Sequence, residues 1–471
     1  MLRSILVIIF IGLNIQGHSQ LDTDHKYSKP LKEVLEEIQK KYGVTIKYPD
    51  SLVKDKMVTY ADWKYRPDIE ITLDNILKPL ELKVKKEKEK QYKLTVFEYF
   101  RWSVEEGWAE LDRIASQYKN VTEWETRKAL LVPCLKQALE LSVLPAKPSH
   151  APIITAKRNF DGYTVENIAI EILPGVWING SLYKPATYKG KIPVILNPDG
   201  HWEKQRYRAD CQYRCAALAK MGAMAFSYDL FAWGESQLQF QLEDHRRSLS
   251  MAIQVLGSIR ILDYLLSLKD ADTNRVAITG GSGAGSHTVL MTAIDERIKF
   301  SAPVVAISSY FYGGCPCESG MNIHACGGRT DNVEIAAMAA PRPQLLVSDG
   351  GDWTDRMPEH DLAYLKKIYG WYGKATDVLN VHLPNEKHDF GINKRKAVYD
   401  FMVKYLQLDH HAIENASGEV DESSITIEPE QSLYVFGDKG QSLPPWAIRG
   451  YESLEKIFHE EIRKSRLASG R

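Results

Sequence analysis

Apolar residues recur along this chain with two different periods. Leu31, Val34, Leu35 and Ile38 fall at i, i+3, i+4 and i+7, which predicts an amphipathic helix ended by Gly43. Residues 44–48 alternate and predict a strand. Leu73, Ile76, Leu77 and Leu80 share one helical face. Residues 82–84 and 92–96 predict a hairpin whose charged turn, 86–90, reads as a solvated tip. From 96 to about 141 the pattern is helical. After a Pro-rich break at 144–152 the period shortens. Strands are predicted at 165–172, 176–183, 193–197, 223–229, 275–279, 302–307, 344–348 and 378–383. Helices are predicted at 209–220 and 249–268. Strands alternating with helices imply an α/β class fold with a doubly wound, mostly parallel sheet, preceded by a small α+β unit. Functional loops then belong at the carboxyl ends of the strands. Beyond Leu408 lie a polar stretch (415–424), a strand-like 432–436 and a charged helix at 451–466.

The first residues form a separate pattern. Arg3 precedes a short apolar run, 5–13, and Gly17 and Ser19 stand at the −3 and −1 positions of a cut before Gln20. This predicts a signal peptide at 1–19 and a periplasmic or secreted protein. The first cysteine is Cys134, so no lipid-anchoring cysteine follows the run, and no later stretch reaches membrane-spanning length. The expected divisions are 1–19, an N-terminal domain at 20–97, a catalytic domain at 98–410 and a C-terminal extension at 411–471.

The 471 residues carry 60 Lys and Arg against 61 Asp and Glu, with 44% hydrophobic and 26% charged residues. That composition excludes a disordered chain and a multi-span membrane protein. A net charge of −1 gives no basis for nucleic-acid binding. Export makes disulfides permissible for the six cysteines. Cys315, Cys317 and Cys326 share one loop with His324, which reads as a zinc site, as one or two bridges, or as buried thiols. Cys211 and Cys215 lie on one predicted helix, where a mutual bridge would be strained, so a bridge from either would reach the 315–326 loop.

One motif carries chemistry. The strand at 275–279 runs into Gly280-Gly281-Ser282-Gly283-Ala284-Gly285 and then a helix. A serine at the apex of a strand–turn–helix, among small residues, is a nucleophile elbow. The usual Gly-x-Ser-x-Gly is altered only by Ala284. A P-loop would need Gly-Lys-Ser/Thr, and the glycine spacing does not fit a dinucleotide fingerprint. The strand at 344–348 leads into Asp349, Asp352 and Asp355, where the acid of a Ser…Asp…His order belongs. Asp352 is chosen, with Asp349 and Asp355 as rivals and a helix-capping role as the plainer reading of Asp355. His388 follows the strand at 378–383 and is placed to take the Ser282 proton. His287 and His382 are read as structural. The oxyanion donors are the backbone N–H groups of Gly283 and His201, the latter after the strand at 193–197. Trp202 and Tyr207 are read as cleft-lining or core residues. The segment from Asp229 to Ser236 is similar to the Asp-x-x-Gly-x-Gly-x-Ser loop of this fold, with Ala232 for the first glycine.

Two resemblances follow. About 70 residues of the N-terminal part resemble the short domain of secretins and TonB-dependent receptors, which implies an envelope protein partner. Residues 150–408 resemble the α/β-hydrolase carbohydrate esterases of Bacteroidota, acetylxylan-esterase-like or pectin-methylesterase-like. The matching segments are NPDGHW, ITGGSGAGSHT, GGCPCESG, EIAAMAAPRPQLLVSDGGDWT and HDFGINKR. The resemblance implies the triad roles for Ser282, Asp352 and His388 and a 315–326 loop bordering the active site, in which Glu318 and Arg329 read as contacts to a sugar or its carboxylate or as solvated surface residues. Trp202 is the further expected substrate contact, and no cofactor or metal is expected. The expected function is a serine carboxylesterase acting on acetyl or methyl esters of plant polysaccharide. The alternatives are a prolyl-oligopeptidase-type peptidase, which would carry a repeat-built propeller not seen here, and a non-catalytic envelope binding protein.

Overall fold

The computed structural model describes residues 27–96, 101–319 and 321–470, so the expected signal peptide lies outside the described residues. They fall in two compact units divided between residues 98 and 99.

The first unit holds β1 (Ser28–Pro30), α1 (Leu31–Tyr42), β2 (Thr45–Lys47), β3 (Met57–Thr59), α2 (Ile69–Leu77), β4 (Leu82–Lys88) and β5 (Gln91–Val96). Strands β2, β5 and β4 form one sheet, and β1 pairs with β3. Leu31, Val34, Leu35 and Ile38 of α1 pack with Leu73, Ile76 and Leu77 of α2, and with Ile46, Leu82, Tyr92 and Leu94 of the sheet. Gly43 ends α1 in the left-handed region, which a residue with a Cβ enters only at a cost. The hairpin strands run further into the charged residues than their sequence suggests, because exposed lysines alternate without leaving the ladder.

The second unit opens with α3 (Val104–Ala115), started by a Ser103–Glu106 capping box, and α4 (Val121–Ala138), capped by Asn120. A ten-stranded sheet follows. It comprises β6 (Ile153–Ile154), β7 (Arg158–Asn159), β8 (Tyr163–Leu173), β9 (Val176–Pro185), β10 (Ile192–Pro198), β11 (Met224–Tyr228), β12 (Ala271–Gly281), β13 (Phe300–Val304), β14 (Gln344–Asp349) and β15 (Val378–Leu383). The order is β15-β14-β13-β12-β10-β11-β9-β8-β6, with β7 also on β8. Strands β10 to β15 pair in parallel, and β6 to β9 add antiparallel partners. Alternate residues feed two cores. Val194 and Leu196 face one and Ile195 the other; Val276 and Ile278 face one and Ala277 the other. Helices α5 (Ala209–Lys220) and α11 (Ile392–Leu406) cover one face. Helices α6 (Ser250–Ser267), α7 (Gly283–Ile294), α9 (Asn332–Ala337) and α10 (Asp361–Trp371) cover the other; the short α8 (Met321–His324) lies in the loop after β13. This is the doubly wound α/β-hydrolase arrangement.

The segment read as an extension packs into this unit. Helix α12 (Tyr451–Ala468) buries Tyr451, Leu454, Phe458 and Ile462 in the same core as α6. Residues 432–436 are not a strand: a helical turn, Glu430–Leu433, leads into irregular chain. The Val435 and Phe436 N–H groups donate to the Glu235 carboxylate at 2.8 Å each, which replaces a strand partner. Strand β13 also stops earlier than predicted, at Val304, because Val305 adopts φ +44° and turns the chain.

The cysteine expectations need correction. Cys134 of α4 is bonded to Cys326, whereas Cys211 and Cys215 are buried thiols on α5 that lie against each other and form no bridge to the 315–326 loop. Their side chains face the sheet, where Cys211 contacts Ser227, and are directed into the core.

Candidate active site

The sheet order reverses at β10, whose neighbours are β11 on one side and β12 on the other. The crevice beyond their carboxyl ends is where such sheets place ligands. The loop after β10 carries His201 and Trp202, and β12 ends one residue before Ser282.

Ser282 sits at φ +56°, ψ −127°, between Gly281 of β12 and Gly283 of α7. Such a conformation costs about 1–3 kcal/mol and persists only where the surroundings impose it. Here Ser282 N–H donates to Val304 O at 2.9 Å, which ties the turn to β13. The motif departure is accommodated: Ala284 is fully buried and its Cβ lies against Gly280.

Ser282 Oγ lies 2.9 Å from His388 Nε2, and His388 Nδ1 lies 2.6 Å from Asp352 Oδ2. The other Asp352 oxygen accepts from Thr354 N–H and from Thr354 Oγ1 at 2.6 Å each, so the carboxylate cannot swing. A carboxylate on Nδ1 fixes the tautomer that leaves Nε2 free to accept a proton from the serine. The imidazole packs against two indoles, with ring centroids 4.6 Å from Trp353 and 5.7 Å from Trp202. Trp353 Nε1 is held by Ala306 O at 3.1 Å.

The rival acids are engaged elsewhere. Asp355 accepts from Tyr310 Oη at 2.5 Å and caps no helix, since α10 begins at Asp361. Asp349 accepts from Gly351 N–H at 3.0 Å and lies 3.1 Å from Lys394 Nζ. Burial and the neighbouring Asp352 push the Asp349 carboxyl up. Lys394 Nζ also donates to Lys387 O at 2.6 Å and Asp389 Oδ1 at 2.9 Å. Burial alone would depress this ammonium, but Asp389 and Asp349 outweigh it and hold it charged. Lys394 thereby joins the acid loop to the histidine loop. Lys394 falls in the matching segment HDFGINKR, but nothing in the pattern marks it as a link between two loops, since a lone lysine reads as solvated surface.

Gly283 has no room for a side chain. A Cβ there would fall 2.6 Å from both His201 Nδ1 and Glu318 Oε1. The His201 side chain therefore lies directly beside the residue that follows Ser282. Glu318 is neither surface-exposed nor open to a sugar: its carboxylate is buried and lies 2.6 Å from His201 Nδ1. Trp202 packs against His388, as described. Arg329 instead stacks on Trp102 at 4.7 Å and lies 3.8 Å from Glu110. Tyr207 is buried against Tyr434 and belongs to the core. His287 is buried with Nε2 2.7 Å from Ser258 Oγ, and His382 Nδ1 lies 2.9 Å from Ser348 Oγ; both are structural.

The expected loop set of Cys315, Cys317, Cys326 and His324 is not assembled. Cys326 is in the disulfide, and His324 is buried 2.9 Å from Asn332 Oδ1. Instead, Cys315 and Cys317 lie with His201 and His245. In the loop after β11, Ala232 takes φ +59°, the conformation for which relatives of the motif use glycine.

A scan against protein-family models and a search of curated proteins each found no match. Among solved structures, Methylesterase BT1017, a Bacteroides protein, is 45% identical, with a TM-score of 0.79; the match covers 94% of this chain and 99% of that one. The chain belongs to this family of carbohydrate esterases. It is a carboxylic ester hydrolase on an α/β-hydrolase fold. Glucuronoyl esterases from Solibacter usitatus and Teredinibacter turnerae T7901 also match, at 17% and 13% identity and a TM-score of 0.42 each. They span 61% of this chain and 94% and 86% of their own, a likeness too remote to inform the site. Kinship to an esterase over nearly the whole chain leaves the peptidase and non-catalytic readings without support.

Proposed function

We propose that this esterase removes methyl groups from esterified uronic acids of plant polysaccharide, using Ser282 as nucleophile. The observation that carries the reading is the continuous Ser282–His388–Asp352 hydrogen-bond chain at the switch point of the sheet. Ser282 Oγ attacks the uronyl carbonyl while His388 Nε2 takes its proton. The oxyanion is held by the Gly283 and His201 N–H groups. Collapse expels methanol, which receives the proton from His388, and leaves the uronyl ester on Ser282. Water, activated by the same histidine, releases the uronate.

Two features favour the methyl over the acetyl ester. The relative that spans nearly the whole chain is a methylesterase. A cation also stands two rings away from the catalytic imidazole: the Arg101 guanidinium covers the Phe311 ring at 3.8 Å, Phe311 packs on Trp353 at 4.6 Å, and Trp353 packs on His388. Arg101 lines an open groove with Trp102, Glu106, Glu110 and Arg113; Glu110 already holds Arg113 through two bonds of 2.7 Å, so Arg101 is the cation suited to the carboxylate of a neighbouring uronate. Product analysis on methyl-esterified pectin and on acetylated xylan tests the choice. The proposal requires methanol as the dominant product; acetate release with no methanol overturns it. In keeping with the sequence pattern at 1–19, we place the enzyme in the periplasm or outside the cell, and the first unit is suited to an envelope protein partner.

A further inference from the structure

Beside the triad, the loop after β10, the turn Leu242–Arg246 and the loop after β13 bring four nitrogen and sulfur donors together. They are His201, His245, Cys315 and Cys317, whose ligand atoms all lie within 4.8 Å of one another. His245, Cys315 and Cys317 are buried. The two histidines are oriented from behind. His245 Nδ1 lies 2.6 Å from the Phe231 carbonyl, which can only accept, so Nδ1 carries the proton. His201 Nδ1 lies 2.6 Å from the Glu318 carboxylate, which likewise accepts. The two Nε2 atoms then face each other across 2.6 Å, and Cys317 Sγ lies 3.0 Å from His201 Nε2. Nitrogens this close need a proton or a metal ion between them, and the two cysteine sulfurs beside them supply the rest of a metal's donor set. Histidine ligands backed by a carboxylate or carbonyl at the far nitrogen are the recurrent outer shell of zinc sites.

We propose that His201, His245, Cys315 and Cys317 form a structural zinc site. Two histidines and two cysteines are a closed tetrahedral set for this ion, with no open position for catalysis. Seating it needs the nitrogens to open to about 3.3 Å, the edge of a tetrahedron with metal–nitrogen bonds of about 2.0 Å. On binding, Cys315 and Cys317 each release a proton to solvent, and the two thiolates neutralise the ion. No electron transfer is involved. The site extends beyond the ester chemistry and revises the expectation that no metal is present. It pins the three loops around Gly283, and so fixes where the His201 backbone stands relative to Ser282.

The test is elemental analysis of the full-length protein as purified, followed by removal of the metal with a chelator and titration with zinc or cobalt. The expected result is about one zinc per chain, a lower melting temperature after removal, and recovery on adding zinc. Cobalt should give a thiolate-to-metal charge-transfer band and the visible bands of a tetrahedral site. Cys317→Ser and His245→Gln should each lose both the zinc and the cobalt bands. Protein that is metal-free as purified and binds neither ion overturns the proposal, whether the cysteines are then thiols or a Cys315–Cys317 disulfide. So does zinc retained at full stoichiometry in both variants. The wild-type titration decides the matter even where a variant fails to fold.

Discussion

The Lys394 ammonium lies 3.1 Å from the Asp349 carboxylate, and both side chains are fully buried. Three further contacts, to Lys387 O, Asp389 and Glu386, place it under the His388 loop. The two glycines after Asp349 let the acid loop lie directly on that backbone: a Cβ at Gly351 would fall 2.7 Å from Glu386 O, and one at Gly350 would collide with Pro384. Lys394 therefore sets the distance between Asp352 and His388 without touching substrate. Lys394→Met should lower kcat by about 10- to 100-fold with a much smaller change in KM, since a misplaced base weakens the transition state and not binding. Leaving Asp349 buried and unpaired should also cost about 3–5 kcal/mol of stability. Steady-state kinetics with a urea melt check both, and an altered pH–rate profile separates positioning from plain destabilisation.

The three acids after β14 make different predictions. Asp352→Asn keeps the shape but loses the tautomer, and kcat should fall by about 10⁴-fold. Asp355→Asn removes a charge that faces Tyr310 and Arg356, not His388, and should leave kcat within a few-fold. Kinetics on an aryl ester decide between them; equal losses in the two variants would remove Asp352 from its role.

Gly283→Ala places a methyl group where His201 and Glu318 already stand. The loop must move away from the nucleophile, and activity should fall at least about 100-fold, the scale of a lost oxyanion donor. Ala284→Gly restores the common motif and adds no atom. It should remain active, with stability lower by about 1 kcal/mol for a glycine in the helix. Parallel assays and melts of the two variants check this contrast.

Acid stability follows from two buried histidines. Burial holds His287 and His324 down at about 4. Each folded value lies below the unfolded one near 6.5, so the unfolded chain takes up the proton first as pH falls. Their contribution is present above about pH 6.5 and is lost as pH falls through 4, on the order of 3 kcal/mol for each. His287→Gln cannot take up that proton, so its acid limb should be shallower than wild type between pH 6.5 and 4. Melting temperature against pH measures it.

The parts legible in the sequence were those set by period and by local geometry. Leu31 to Ile38 could only be one helix face, and the run from Arg275 to Gly285 could only be a strand, a sharp turn and a helix. The order of Ser282, Asp352 and His388 along successive strands then specified which loops meet. What was not legible depends on contacts across the fold. Lys394 and Glu318 look like surface charges until loops distant in sequence bury them. Cys134 finds Cys326 because α4 packs against the loop after β13, and no spacing rule reports that. His201 was chosen for its backbone; its side chain, turned toward His245 and Cys317, carries a second role that only the assembled loops disclose. The 432–436 segment alternates like a strand, but a buried carboxylate, Glu235, takes its donors.

The most direct measurement is methanol release from methyl-esterified pectin by the wild-type protein and by Ser282→Ala under the same conditions. The account predicts sustained release by wild type and a fall of at least about 10³-fold in the variant, with its melting temperature preserved. Release by Ser282→Ala at a rate close to wild type would contradict it.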